Sequence, residues 1–262
     1  MNSEKIAAII LAAGSSGRMN GVKKEFQKLP SGVTVLESAV NAFASVPCID
    51  TIAVAISANT DARSVLPPEY FSPEKKNKII FVNGGAVRRA SVYNALCALA
   101  RETSLHETAP QEAPDCCRYV LIHDGARPWV SVSLIENIIA AVKKYGAVIP
   151  LLPLTDTPKE LETENGENVI LSGSSSVFPA AESGERDAVF IRRHLKRANF
   201  GVAQTPQAFK FDEILRAHEK AAMANDEEFT DDAEIWGKYC GQVAVIPGDP
   251  ANRKITFKED LS

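Results

Sequence analysis

KIAAIILAAGSSGRMNGVKKE, residues 5–25, is the stretch on which the fold turns. Its first half is a continuous apolar run with no polar alternation, the pattern of a strand buried on both faces, as in a parallel sheet covered by helices. Its second half places Gly14, Gly17 and Gly21 among Arg18, Lys23 and Lys24. Consecutive backbone N–H groups in a glycine-rich turn form an anion-binding concavity, and glycine lets the main chain approach phosphate oxygens closely. The cations that follow have no role in ordinary turn chemistry, so the loop points to phosphate binding.

Outward from this stretch the same rhythm repeats. Apolar runs (TIAVAIS, KIIFVN, YVLIHD, AVIPLL) alternate with helical patterns (VLESAVNAFASV, RASVYNALCALA, SLIENIIAAVKKYG). This alternation predicts an α/β fold with a doubly wound, mostly parallel sheet. Ser133 with Glu136 reads as the capping box that opens one helix, and Gly146 as its C-terminal stop. Residues 101–117, RETSLHETAPQEAPDCC, read as a polar surface insertion. Residues 155–198 lack a sustained period and read as a projecting arm on a single domain spanning 1–262. Two further helices and the strand QVAVIPG would then return to the main sheet.

Ligands of such sheets bind outside the carboxyl ends of the strands, where the strand order reverses. The segments that follow the strands are AAGSSGRMNGVKK, SANTDARS, NGGAVRRAS, HDGARP and PLTDTPK, and most of them carry Arg or Lys. The chain as a whole has a formal net charge of -4, which argues against a general nucleic-acid binder. An anion site must therefore be local. No apolar run reaches the roughly 18 residues needed to cross a bilayer, and the N-terminus runs straight into a strand, so a cytoplasmic protein without membrane contact is expected. The five cysteines lack metal-ligand spacing and are expected as reduced thiols, with no role assigned to the Cys116–Cys117 pair.

The loop is neither a P-loop nor a dinucleotide fingerprint, because Gly17 and Gly21 are not followed by Lys-Ser/Thr and Gly14 and Gly17 enclose two serines. LAAGSSGRM, KKEF, GGAVRRASV, HDGARP, DTPK, QTPQAF, TDDA and NRKIT instead resemble, in order, the signature segments of the 2-C-methyl-D-erythritol 4-phosphate cytidylyltransferase family. That resemblance implies a Rossmann-like nucleotidyltransferase fold whose projecting arm serves dimerisation. It also implies a homodimeric, Mg2+-dependent enzyme of non-mevalonate isoprenoid synthesis that joins CTP to a sugar-alcohol phosphate and releases pyrophosphate.

Carried onto this sequence, the resemblance makes Arg18 and Lys24 the cations at the reacting α-phosphate. Ala12, Ala13, Gly14, Ser15 and Ser16 would cradle the triphosphate. Gly84, Gly85 and Ser91 would lie near the base, and Ala126 near the ribose. Asp124 would face both substrates and is a possible metal ligand. Lys254 would hold the attacking phosphate with Arg127, Thr157, Thr230 and Thr256 nearby, and Arg197 would reach into the partner's site. Ser16, Lys23 and Pro158 depart from the usual pattern, and Lys23 could stand in for Lys24. Either Arg88 or Arg89 could bind phosphate, or both could form a solvated helix start. His123, the one histidine near the rim, reads as a packed strand residue. Two alternatives stand beside the leading reading: within the same enzyme class, a pentitol phosphate (ribitol 5-phosphate type) cytidylyltransferase, and, in a different class, a nucleotide-binding regulator without turnover.

Overall fold

In the computed structural model, residues 4–14, 22–72, 77–104, 117–167, 169, 188–224 and 229–261 are described. The strands are β1 (Lys5–Ala12), β2 (Ile49–Ile56), β3 (Lys78–Asn83), β4 (Cys117–Asp124), β5 (Ala147–Pro153), β6 (Lys159–Thr163), β7 (Val189–His194), β8 (Gly201–Ala203), β9 (Gln207–Lys210) and β10 (Ala244–Pro247). The helices are α1 (Val35–Ala44), α2 (Arg88–Ser104), α3 (Val132–Tyr145), α4 (Phe211–Met223) and α5 (Asp232–Tyr239). The main sheet runs β10-β5-β9-β4-β1-β2-β3, with β8 pairing β5 off this path. β1 is parallel to both β2 and β4, and β2 to β3, whereas β9 is antiparallel to β4 and β5. The order therefore reverses at β1 and β4, where Leu11 stands opposite Asp124.

The apolar run of β1 is explained by two cores. Ile6, Ala8, Ile10 and Ala12 face one cluster with α1 and α3, while Ala7 and Ile9 face the other with α2, α4 and α5. A strand with one polar face could not serve both. α1 opens with a capping box, Thr34 Oγ1 accepting from the Glu37 N–H and Glu37 from the Thr34 N–H. α3 corrects the expected cap: Ser131, not Ser133, accepts from the Leu134 N–H, and Ser133 lies within the helix. Gly146 ends α3 at φ 83, in the left-handed region that favours glycine, as expected.

The polar insertion is also shorter than expected, because 101–104 belong to α2 and Cys117 opens β4; Cys116 lies outside the described residues. Cys48, Cys97, Cys117 and Cys240 are free thiols. Among the described residues, no helix is long and apolar enough to cross a membrane.

The chain divides into two compact units, Met1–Pro150 with Ala203–Ser262, and Leu151–Val202. The first holds the sheet and its helices. The second contains the antiparallel β6–β7 hairpin, whose Glu160 and Glu162 face Arg192 and Arg193. Such exposed pairs add little stability.

Candidate active site

A cavity of about 710 Å³ opens where the strand order reverses, lined in part by Ala13, Gly14, Lys23, Lys24, Gly85, Arg88, Ser91, Asp124, Ala126, Lys254 and Thr256. Its floor is where the parallel neighbours β1 and β4 end side by side. The Gly125 N–H donates to the Leu11 carbonyl at 2.9 Å, and a Cβ on Gly125 would lie 2.7 Å from that oxygen, so only glycine permits the approach. Beside it, Ser91 Oγ accepts from the Gly85 N–H at 3.0 Å and donates to the Val87 carbonyl at 3.2 Å, which holds the loop before α2 around the cavity.

Among the described residues, four cations from three parts of the chain line the cavity, and a fifth, Arg127, reaches Asp124 beside it. Lys254 Nζ lies 2.8 Å from Asp124 Oδ2, and Lys24 Nζ donates to the Ile255 carbonyl at 2.9 Å. Lys23 Nζ donates to the Gly14 carbonyl at 2.5 Å, so it ties the two ends of the glycine loop together while Lys24 sits against the Lys254 segment. Arg88 Nε lies 3.6 Å and Arg127 Nε 3.8 Å from Asp124. Burial alone would push the Asp124 carboxyl up, but Lys254, Arg88 and Arg127 hold it well below the usual carboxylate range. It is a fixed anion inside a cationic pocket.

Behind the cavity the charge network continues into the core. Arg88 Nη1 donates to Asp232 Oδ2 at 2.7 Å, and His218 Nε2 lies 3.1 Å from Asp232 Oδ1. Asp232 and His218 are both fully buried. Gln207 fixes this corner by donating to Asp231 and accepting from the Ala233 N–H. Asp231 in turn caps α5 by accepting from the Glu234 N–H. Arg88 Nη2 is buried and has no hydrogen-bond partner among the described residues.

His123 is a packed strand residue, as expected, and its contacts define its proton. Nε2 faces the Arg127 carbonyl at 3.1 Å, which can only accept, so Nε2 carries the hydrogen. Nδ1 then accepts from the Thr205 hydroxyl at 3.1 Å, and Thr205 Oγ1 accepts from the Asp124 N–H at 3.0 Å. Burial pulls its pKa down to about 4. A histidine kept neutral in the fold contributes stability that is complete above its unfolded pKa near 6.5 and lost as the pH falls towards the folded value. Unfolding free energy should therefore drop below pH ~6.5 by up to ~1.4 kcal/mol per unit, until about pH 4, where protonation of the paired carboxylates takes over. Urea titrations from pH 7 to 4.5 should show this slope and a flatter one for His123→Gln; equal slopes would rule it out.

The structure thus brings together Ala13, Gly14, Lys24, Gly85, Ser91, Asp124, Ala126, Lys254 and Thr256. Ala12 is buried in β1 behind them, and Gly84 packs so close to Ala13 that a Cβ would lie 2.2 Å from the alanine methyl. Arg127 reaches Asp124 and donates to the Asn252 carbonyl at 2.8 Å. Thr230 does not line the cavity; its N–H and hydroxyl both donate to Glu234. Thr157 and Arg197 belong to the second unit, where Arg197 donates to the Thr155 carbonyl. Ser15, Ser16 and Arg18 lie outside the described residues.

Ser57 and the buried Glu25 also line the cavity and were not singled out from sequence. Ser57 was findable, since it directly follows the carboxyl end of β2, where ligands of such sheets gather. Among the described residues no group of three or more His, Cys, Asp or Glu is placed to cage a metal. Asp124 offers one carboxylate to the cavity, which suits a cation held mainly by phosphate oxygens and water, as Mg2+ commonly is.

A family model described as IspD, 2-C-methyl-D-erythritol 4-phosphate cytidylyltransferase, matches residues 6–173 and 176–262. The bifunctional IspD/IspF enzyme of Nitrobacter hamburgensis is 37% identical over 99% of this chain and 54% of its own length. That of Rhodopseudomonas palustris is 34% identical over 99% and 55%. The chain thus spans about half the length of the curated relatives it matches. Among solved structures, 4-diphosphocytidyl-2C-methyl-D-erythritol synthase from Anaerococcus prevotii superposes with a TM-score of 0.71 at 26% identity, covering 99% of this chain and 94% of that one. The bifunctional IspDF of Campylobacter jejuni gives 0.65 at 26% identity, covering 98% and 53%. The strand order of this chain, its cavity at the reversal point and a model match over almost every residue agree: the chain belongs to the 2-C-methyl-D-erythritol 4-phosphate cytidylyltransferase family.

Proposed function

We propose that this chain transfers the cytidylyl group of CTP to 2-C-methyl-D-erythritol 4-phosphate and releases pyrophosphate. The observation that carries the proposal is the meeting of Lys24 and Lys254, 230 positions apart in sequence, with Asp124 in one cavity. A phosphate monoester is already charged about -1.5 to -2 at neutral pH, so its oxygen attacks the α-phosphorus without a general base. The new P–O bond forms as the bond to the β-phosphate bridge breaks, and pyrophosphate leaves with the electron pair. The protein's task is then to position two polyanions and to meet the charge that builds up between them.

Lys24, with Arg18 of the same loop, would meet the α-phosphate, and Lys254 would meet the attacking phosphate. Ala13 and Gly14 line the triphosphate side, and Ser91 shapes the loop that would take the base. Asp124 would help to hold Mg2+, which supplies charge neutralisation on the triphosphate. The test is incubation of the chain with CTP, MgCl2 and methylerythritol phosphate, with release of pyrophosphate followed over time. Nucleotide binding without product would leave only the regulator reading, and faster turnover of ribitol 5-phosphate would favour the pentitol enzyme. The same reading places the protein in the cytoplasm, with CTP.

We also propose a homodimer formed through the second unit, with Arg197 and Thr157 serving the partner's site. In support, Phe190, Ile191, Phe200 and Val202 are each 45–50% exposed on that unit, an apolar set that a second copy would cover. Sedimentation should give a dimer at micromolar concentration and a monomer for Phe190→Ser combined with Phe200→Ser. A monomeric unaltered protein would refute it.

A further inference from the structure

Lys254 stands in a stretch, 252–256, that is neither helix nor strand. Backbone without a ladder keeps one conformation only if other groups hold it. Here the holding groups are specific. The Ile255 N–H donates to the Ala126 carbonyl at 2.8 Å, and the fully buried Ile255 and Asn252 side chains point inward on either side of the exposed Arg253 and Lys254. The Asn252 amide donates to the Thr205 carbonyl at 2.8 Å.

The buried Gln204 does the most. Its Nε2 donates to the carbonyls of Asp249 at 2.9 Å and Asn252 at 3.1 Å, and its Oε1 accepts from the Asp249 N–H at 3.0 Å. Its own N–H donates to the Pro150 carbonyl. One side chain thus satisfies main-chain groups on both sides of the turn that delivers Lys254, and it uses two donors and an acceptor, which among side chains of this reach only a neutral amide offers. Gln204 does not line the cavity.

We infer that Gln204 is a positioning residue for Lys254: it fixes the 249–252 turn so that the lysine Nζ is held over Asp124, and it acts on the reaction only through that lysine. This rests on the proposed cytidylyl transfer, in which Lys254 meets the attacking phosphate. A misplacement of about 1 Å in a positioned group can lower a rate on the order of a hundredfold. A residue that acts by aiming another should lose its effect when that other residue is gone.

The test is a double-mutant cycle of unaltered protein, Gln204→Leu, Lys254→Ala and the pair, read on kcat/KM for methylerythritol phosphate. Gln204→Leu is expected to lose about tenfold or more on the unaltered background, with KM for CTP changed less than about twofold. On the Lys254→Ala background the same replacement should lose less than about twofold. Equal losses on both backgrounds, or no loss on the first, would overturn the inference. An unaltered protein that makes no product would instead sink the functional reading before the cycle begins. If Gln204→Leu does not fold, Gln204→Glu keeps the acceptor and removes both donors, and is judged by the same comparison. If the Lys254→Ala protein is too slow to assay, the cycle is closed on calorimetric affinity for methylerythritol phosphate in the presence of a CTP analogue with a non-cleavable α–β bridge.

Discussion

Lys254→Ala is expected to lower kcat/KM for methylerythritol phosphate by about 10²–10³-fold while leaving the fold nearly as stable as before. The magnitude is that of removing one preorganised group from developing charge in a sheltered site, about 2.7–4 kcal/mol. The small effect on stability follows from the surroundings. The Lys254 side chain is 38% exposed, and without it Asp124 still faces Arg88 at 3.6 Å and Arg127 at 3.8 Å, so its charge is not stranded. Lys254→Arg would keep the charge but replace a compact ammonium with a planar fork, and recovery should be partial. Initial rates over both substrates, together with melting curves, check this. A loss under tenfold, or one matched by a large fall in melting temperature, would remove Lys254 from the chemistry.

The parts of this molecule that could be read from sequence are those in which one local pattern has one physical meaning. β1, β2 and β4 were legible because a strand covered on both faces must be apolar at successive positions. The loops carrying Gly14, Gly85 and Asp124 were legible because ligands gather beyond strand ends. β9 carried no such mark: it is four residues long, QAFK, and its place between β4 and β5 is set by antiparallel pairing with residues far away in the chain. The cap of α3 was misread because VSVSLIE offers two serines, and the spacing to Glu136 favoured the wrong one. The bond itself runs from Leu134 N–H to Ser131. Arg88 could not be separated from Arg89 because the difference lies in Asp232, 144 positions on. Within TDDA the threonine was chosen for substrate, yet Thr230 is engaged by Glu234 and the aspartates tie α5 to the rest of the site.

Asp232→Ala is expected to reduce unfolding free energy by about 3–5 kcal/mol, the scale for removing one member of a buried ion pair. Asp232 is fully buried, and its two oxygens are divided between Arg88 and His218. Burial would raise its pKa, but Arg88 and His218 hold it below the usual range, so the pair is ionised and the guanidinium depends on it. Arg88 would keep only a weaker partner: Nη2 is buried without a hydrogen-bond partner among the described residues, and Asp124 lies 3.6 Å from Nε, an ion pair too long for a hydrogen bond. Asp232→Asn should be milder, because an amide turned with its oxygen to Arg88 keeps an acceptor on the guanidinium. Replacing both members, Arg88→Met with Asp232→Leu, removes the stranded charge and should recover most of the stability lost by Asp232→Ala. Turnover should not recover, because Arg88 also lines the cavity and faces Asp124. Urea unfolding and pyrophosphate release on the same preparations separate the two effects. If Asp232→Ala costs under about 1 kcal/mol, the buried pair does not hold Arg88, and if the double replacement restores turnover, Arg88 is structural and the anion pocket is built from the other cations.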